Sequence, residues 1–157
     1  MNPQPHLLIL GAGYVGSALA IEAVRRKWRV TALTRNAEQL AQLAAAGVKT
    51  CIQDDIASRD WHAKVNGSVD FLINCVSSGR GGIPGYEHSY LRGQESVIEF
   101  ASHAHINCCL YTSSTSVYPQ NDGEWIDEDA PSTPSSPSGQ IILQSEELLR
   151  ANRHLFD

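Results

Sequence analysis

Apolar and polar positions fall in blocks along this chain, and the blocks switch between the strand period and the helix period. A short apolar run over His6–Leu10 stops on glycines, and over Tyr14–Lys27 apolar side chains then return at helical spacing. The alternation repeats with a strand over Arg29–Thr34 and a helix over Ala37–Ala46, closed by Gly47 as a C-terminal cap residue. A third strand, Lys49–Gln53, precedes a short and partly helical segment, Arg59–Val65. The next strand, Asp70–Cys75, is almost continuously apolar, as a parallel strand buried on both faces should be. A glycine-rich loop, Ser77–Gly85, leads into a long helix over Tyr86–His103 and a strand over Ile106–Thr112. A polar loop runs to Pro137, and a last helix spans Gly139–Arg153.

Strands that alternate with helices imply right-handed crossovers and a doubly wound α/β domain of the Rossmann type. About five parallel strands are expected in the order 3-2-1-4-5, with helices on both faces and ligand at the switch point between strands 1 and 4. At 157 residues, positions 1–157 are expected to form one such domain. Beyond the alternation there is no internal repeat.

The first strand-to-helix turn carries Gly11, Gly13 and Gly16 in the spacing G-x-G-x-x-G. Gly11 lets the chain turn off the strand, Gly13 lets the backbone lie against a pyrophosphate, and Gly16 lets the helix sit close on the strand. Tyr14 and Val15 open that helix, whose free N–H groups and positive dipole end suit an anion. Strand 2 ends in Thr34-Arg35, about twenty residues after the glycines, where NAD-preferring folds place an acidic side chain on the ribose 2′-hydroxyl. Arg35 instead offers a guanidinium to a 2′-phosphate, which favours NADP over NAD; alternatively it is a surface residue beside a helix start. Asp54 and Asp55 follow strand 3, either to accept from an adenine amino group or to begin a turn. Cys75, Val76 and Ser77, at the end of strand 4, are expected beneath the nicotinamide-side phosphate and ribose.

Composition removes several classes of function. A 42% apolar and 18% charged chain is ordinary for a soluble globular protein, and a net charge of −5 gives no reason to expect nucleic acid as a partner. The basic cluster Arg25-Arg26-Lys27 ends a helix, where cations suit the dipole. No apolar stretch is long enough to span a bilayer, and the first strand starts too close to Met1 for a signal peptide, so a cytoplasmic location is expected. Cys51, Cys75, Cys108 and Cys109 are expected to be buried free thiols, as in a reducing compartment. His103 and His105 lack further ligands at metal spacing, so no metal site is expected. The acidic, proline-bearing loop Pro119–Pro137 is either a solvated surface loop or a lid over a substrate cleft.

A second specific signal is Tyr111-Thr-Ser-Ser-Thr-Ser-Val-Tyr118 at the end of strand 5, followed by Pro119 and by Asp127-Glu128-Asp129-Ala-Pro131. With the glycines, it resembles the extended short-chain dehydrogenase/reductase family, the NAD(P)-dependent epimerase/dehydratase group, along essentially the whole chain. The resemblance implies that Ser114, four residues before Tyr118, hydrogen-bonds the substrate oxygen at the carbon that exchanges hydride. It also implies a Tyr-x-x-x-Lys pair sharing one face of the last helix, in which the lysine lowers the tyrosine pKa. Here Ser138 stands in the tyrosine position and Ile142 in the lysine position, with Glu146, Leu148 and Leu149 holding the register. Tyr90 stands where the family has a helix asparagine.

Two functions remain open. One is a divergent reductase, epimerase or dehydratase in which Tyr118 or Tyr90 supplies acid–base function and Ser114 positions a carbonyl or hydroxyl. The other is a non-catalytic NADP-binding module. The resemblance also implies a small-molecule substrate, with nucleotide sugars the family's commonest ligands, and a homodimer paired through the long helices. It implies further that the family's C-terminal substrate-binding region is absent from this chain.

Overall fold

A computed structural model describes residues 4–156. It contains β1 (His6–Leu10), α1 (Tyr14–Arg25), β2 (Arg29–Thr34), α2 (Ala37–Ala45), β3 (Thr50–Gln53) and β4 (Val69–Asn74). Next come α3 (Gly82–Tyr86), a π-helical turn (Glu87–Arg92), α4 (Gly93–Ala101), β5 (Ile106–Tyr111) and α5 (Pro137–Ala151). All strand pairs are parallel, and the five-stranded sheet has the order β3-β2-β1-β4-β5. This is the expected Rossmann topology. Strand order reverses at β1, which pairs with β2 on one side and β4 on the other.

Alternation along β1 shows how the two layers form, because successive side chains point to opposite faces. Leu8 and Leu10 join Leu33, Leu72 and Ile106 under Val97, Phe100 and the buried Trp61. Leu7 and Ile9 join Val30 and Ala32 under Ala20, Ala23 and Leu43. The small residues on α1 let it sit close to the sheet. On this second face α1 and α2 cover the β1–β3 side, whereas Phe71 and Leu110 remain 37% and 50% exposed. Phe71 is partly shielded by stacking on Trp28, with ring centroids 5.2 Å apart.

Several boundaries differ from the expectation for physical reasons. Helix α1 ends at Arg25, and Lys27 takes a left-handed φ of 63°, which turns the chain into β2. The helix after β4 starts at Gly82, inside the expected glycine loop, because Pro84 falls in its first turn, where no amide donor is needed. Asn36 caps α2, its side chain accepting from the Glu38 and Gln39 amides at 2.9 and 3.2 Å. Ser136 likewise caps α5 through the Gly139 amide, so that helix starts at Pro137, ahead of Gly139. The cysteines are free but less buried than expected: Cys108 is exposed, and the other three are only partly covered. No helix among the described residues is long and apolar enough to cross a membrane.

Candidate functional site

The glycine turn makes the centre of the site. Gly11 has φ +85°, and a Cβ there would lie 2.7 Å from Val76 Cα, so the β1 turn meets the β4 exit backbone to backbone. The amides of Gly11 and Ala12 both donate to the Leu33 carbonyl at 2.9 Å, which ties the turn to the end of β2. A Cβ on Gly16 would lie 2.5 Å from the Gly11 carbonyl oxygen, so α1 presses directly on the turn. Gly13 differs from both. A Cβ there would meet nothing within 4 Å. Two glycines are required by packing, and the third faces open space at the N-terminus of α1.

That space is a cleft, open to solvent, at the C-terminal edge of the strands. It brings together the predicted residues Gly11, Gly13, Thr34, Arg35, Asp54, Asp55, Cys75, Val76 and Ser77, and adds Leu33, Ile56 and Ser89. Ile56 was legible as the neighbour of Asp55, whereas Ser89 carried no signal in the sequence. Tyr14 and Val15 lie at the start of α1, 96% and 51% exposed, outside the cleft wall. Gly16, Ser114 and Tyr118 do not line the cleft either.

A buried amide pair fixes the floor. Asn74 accepts from the Val76 amide at 3.1 Å and donates to Gln94 at 3.1 Å, which locks the β4 exit to α4. Between α3 and α4 the backbone takes the π turn, a feature often found at functional sites. It carries Ser89, buried beside the cleft, and His88 on its outer rim.

Paired charges surround the far rim. Arg35 donates to Asp55 Oδ2 at 3.3 Å, and His88 Nε2 lies 2.9 Å from Asp55 Oδ1. The Ala57 amide also donates to Oδ1, at 2.8 Å. Asp54 is bound by Lys64 at 3.0 Å. Burial would raise the Asp54 carboxyl, but hydrogen bonds from Lys64 and the Asp55 amide outweigh it and hold the group below its ordinary value. Arg35 keeps 59% of its side chain exposed, so its guanidinium can still receive an anion.

The second predicted group lies past β5. Ser114 is exposed and caps a short 3₁₀ turn over Thr115–Val117, its hydroxyl accepting from the Ser116 amide at 3.2 Å. Tyr118 closes the same turn. Ser113 donates to Glu146 of α5, which also binds Arg150 at 3.0 Å. Gly139, in the first turn of α5, packs against the Ser116 carbonyl so closely that no Cβ fits.

Ser138 is half-buried with its hydroxyl 3.3 Å from that of Ser136, and Ile142 is 2% exposed within the core. Neither a phenol nor a cation occupies those positions. Tyr90 rests its ring 5.2 Å from that of Tyr86, and burial pushes its phenol above the ordinary value. Burial pushes Tyr111 up to about 12. A raised phenol pKa is the opposite of what a phenolate base needs.

A parallel sheet in this order, with a glycine turn at its switch point and a cleft beyond the strand ends, defines the Rossmann class of α/β domains. Residues 7–155 match the model of the NAD dependent epimerase/dehydratase family, and the chain belongs to that family. Its fold is similar to that of the dTDP-glucose 4,6-dehydratase DesIV from Streptomyces venezuelae, solved with NAD bound (21% identity, TM-score 0.81). It is also similar to UDP-glucuronic acid 4-epimerase from Bacillus cereus, solved with UDP-glucuronic acid and NAD (20% identity, TM-score 0.80). In each case the match covers 95% of this chain and 52% of the other. UDP-glucose-4-epimerase from Stenotrophomonas maltophila, solved with NAD and formylated UDP-arabinopyranose, matches at 22% identity and TM-score 0.79, over 95% of this chain and 48% of its own. The chain therefore spans about half the length of these proteins. No curated protein matches the chain.

Proposed function

We propose that this chain binds a nicotinamide dinucleotide, NADP in preference to NAD, as the cofactor-holding part of an epimerase/dehydratase-type protein. The observation that carries the reading is the contrast among the glycines: Gly11 and Gly16 are filled by packing, while Gly13 faces an open cleft at a helix N-terminus. A pyrophosphate fits there because the backbone can approach it without a side chain between, and the first α1 amides point at it. Arg35 supports NADP, since it stands at the end of β2, where a carboxylate would select NAD, with most of its guanidinium exposed. The neighbours named above were solved with NAD, which supports the nicotinamide dinucleotide class.

When bound, such a cofactor supplies hydride transfer to or from a carbon bearing oxygen. The chain's own residues give that step little acid–base help. Ser114 offers a hydroxyl that can orient a carbonyl or alcohol, but Ser138 and Ile142 provide no phenolate and no cation. We therefore favour a cofactor-holding role without the family's tyrosine–lysine chemistry. The alternative is a divergent enzyme acting on a nucleotide-sugar-like substrate held by Ser114 and Tyr118. A homodimer is also proposed. The groove between the π turn, α4 and α5, lined by Leu91, Arg92, Glu95 and Ile141, is the face that would pair.

Thermal unfolding with NADPH, NADH or neither tests the binding reading. A ligand at about 100 times its Kd should add about 2.7 kcal/mol to stability. No shift with either nucleotide would refute it. NADPH oxidation across a panel of carbonyl compounds, lost in Ser114→Ala, would favour the enzyme over the holding role.

A further inference from the structure

The acidic loop after β5 covers none of the domain it leaves. Trp125 is 100% exposed, and Asp122, Glu124, Asp127, Glu128 and Asp129 around it are exposed as well. None of these carboxylates enters an ion pair among the described residues. The sequence has no Lys or Arg between Arg92 and Arg150 to supply one. A tryptophan carries about 150–250 Å² of surface that burial favours, and it is among the residues that anchor interfaces most often. At the opposite end of the strands, the chain entering β2 and β3 frames a groove of the other sign. Its floor is Val24, Trp28 and Val30, its rim carries Lys27, Arg29 and Lys49, and no carboxylate lines it. Trp28 is held in place by its stack on Phe71. Arg29 turns toward the Ser68 carbonyl at 3.0 Å, whereas Lys27 and Lys49 are exposed and enter no ion pair among the described residues.

We propose that the Asp122–Asp129 loop of one copy docks, Trp125 foremost, into the Lys27–Lys49 groove of a second copy, so that the chain associates head to tail. The inference goes beyond the cofactor reading and does not depend on it. Charge complementarity selects the occupant: the loop brings carboxylates without cations, and the groove brings ammonium groups without carboxylates. The loop leaves the C-terminal end of β5, an edge strand, while the groove opens at the N-terminal ends of β2 and β3 on the far side of the sheet. The base of the loop is fixed, because Val117 is buried and the Ser116 carbonyl packs against Gly139. The two surfaces therefore meet between copies rather than within one. Burial of the indole on the apolar floor supplies most of the affinity, and the exposed charge pairs supply register and rate of encounter. Such a contact joins two different patches, so it leaves a free loop and a free groove after every addition. Growth continues to a ring or an open chain, where the helix-paired homodimer proposed above would stop at two.

Sedimentation velocity on the whole chain, without nucleotide, tests this over a wide range of concentration. The average mass should climb past two copies as concentration rises. Raising salt from about 0.05 to 0.5 M should weaken association at least threefold, since the Debye length shrinks from roughly 14 to 4 Å. Trp125→Ser should weaken it at least tenfold, and so should the groove variant Lys27→Asn with Lys49→Glu. Asparagine accepts the left-handed φ of 63° at position 27, and all three sites are exposed, so both variants should keep the wild-type melting temperature. Mixed together, with one of them fluorescently labelled, the two variants should bind each other at wild-type strength, because one keeps a native groove and the other a native loop. A mass that never passes two copies overturns the inference, as does association that ignores Trp125→Ser. Variants that fail to bind each other would overturn the head-to-tail arrangement. A synthetic peptide of residues 122–129 that binds a chain unable to self-associate would assign the groove to another acidic protein, and the second copy would fall as its occupant.

Discussion

The glycine turn makes a prediction in which folding and binding separate. Alanine at Gly11 must adopt a φ of +85° and place a methyl 2.7 Å from the backbone of Val76, which no side-chain rotation can relieve. The left-handed conformation costs about 1–2 kcal/mol and the overpacking about 1–3 more, so Gly11→Ala should lose about 2–5 kcal/mol. Gly16→Ala collides with the Gly11 carbonyl at a cost of about 1–3 kcal/mol but gains helix propensity of about 1 kcal/mol, leaving a loss of about 0–2 kcal/mol. Gly13→Ala has open space and a φ of −83°, and as an N-cap change it should cost no more than about 1 kcal/mol. Binding should rank the other way. The Gly13 methyl enters the space assigned to the pyrophosphate and displaces one or two amide-to-phosphate bonds, each worth about 1.5–3 kcal/mol. Affinity should drop by about 10-fold to more than 100-fold. In a thermal scan the wild-type chain with NADPH at about 100 times its Kd should shift by about 5–11 °C. Gly13→Ala at the same concentration should shift by only about 1–2 °C after a 100-fold loss, since about 0.4 kcal/mol of linkage remains. A Gly13→Ala protein that keeps the wild-type ligand shift would refute the placement of the pyrophosphate. One as unstable as Gly11→Ala would refute the claim that Gly13 is free of packing.

Other expectations follow from single residues. Ile142→Lys puts an ammonium in a site that is 2% exposed, and it should lower stability by about 3 kcal/mol or more, read from the denaturant midpoint. An unchanged midpoint would mean that the site already accepts the family's lysine. Asn36→Ala removes the α2 cap and should cost about 1 kcal/mol, or about 2–4 °C in melting temperature. Burial lowers the imidazole pKa of both His6 and His62 below 6.5, so the unfolded chain binds more protons just under that pH. Stability should therefore fall as pH drops from about 6.5 toward the folded values, and urea midpoints at pH 7.5 and 5.5 measure it. A rise on acidification would contradict the buried placement of these rings.

The sheet was legible because period and length agree along the chain. Apolar runs of strand length recur between amphipathic stretches, and the glycine spacing marks the first turn. The cleft's near side was equally legible, since the ends of β1 to β4 fall next to it once the order is known. Its far rim was not. His88 and Asp55 meet only because β3 and the π turn converge, and nothing local in Glu87–Arg92 distinguishes a π turn from an α turn. Gly82 read as loop for a related reason: glycine is a weak helix former, and tertiary packing overrides that preference. The exposed Cys108 shows the limit of strand patterning. An apolar strand residue reads as buried, yet β5 is an edge strand and its outer face has no helix over it.

The π turn gives the long helix two independent phases. A π turn holds more residues than the 3.6 of an α turn, so removing one residue from Glu87–Arg92 would let the segment close as α-helix and change which of its side chains meet the cleft. Gln94, Ser96 and Val97 would stay seated in the core, while His88, Ser89 and Tyr90 would swing to a different side of the cleft. A single-codon deletion or insertion is thus a tuning step for what this cleft presents, and it leaves the hydrophobic seam of the domain in register. Libraries that vary the length of this segment, as well as its composition, would sample ligand preferences that point substitutions cannot reach.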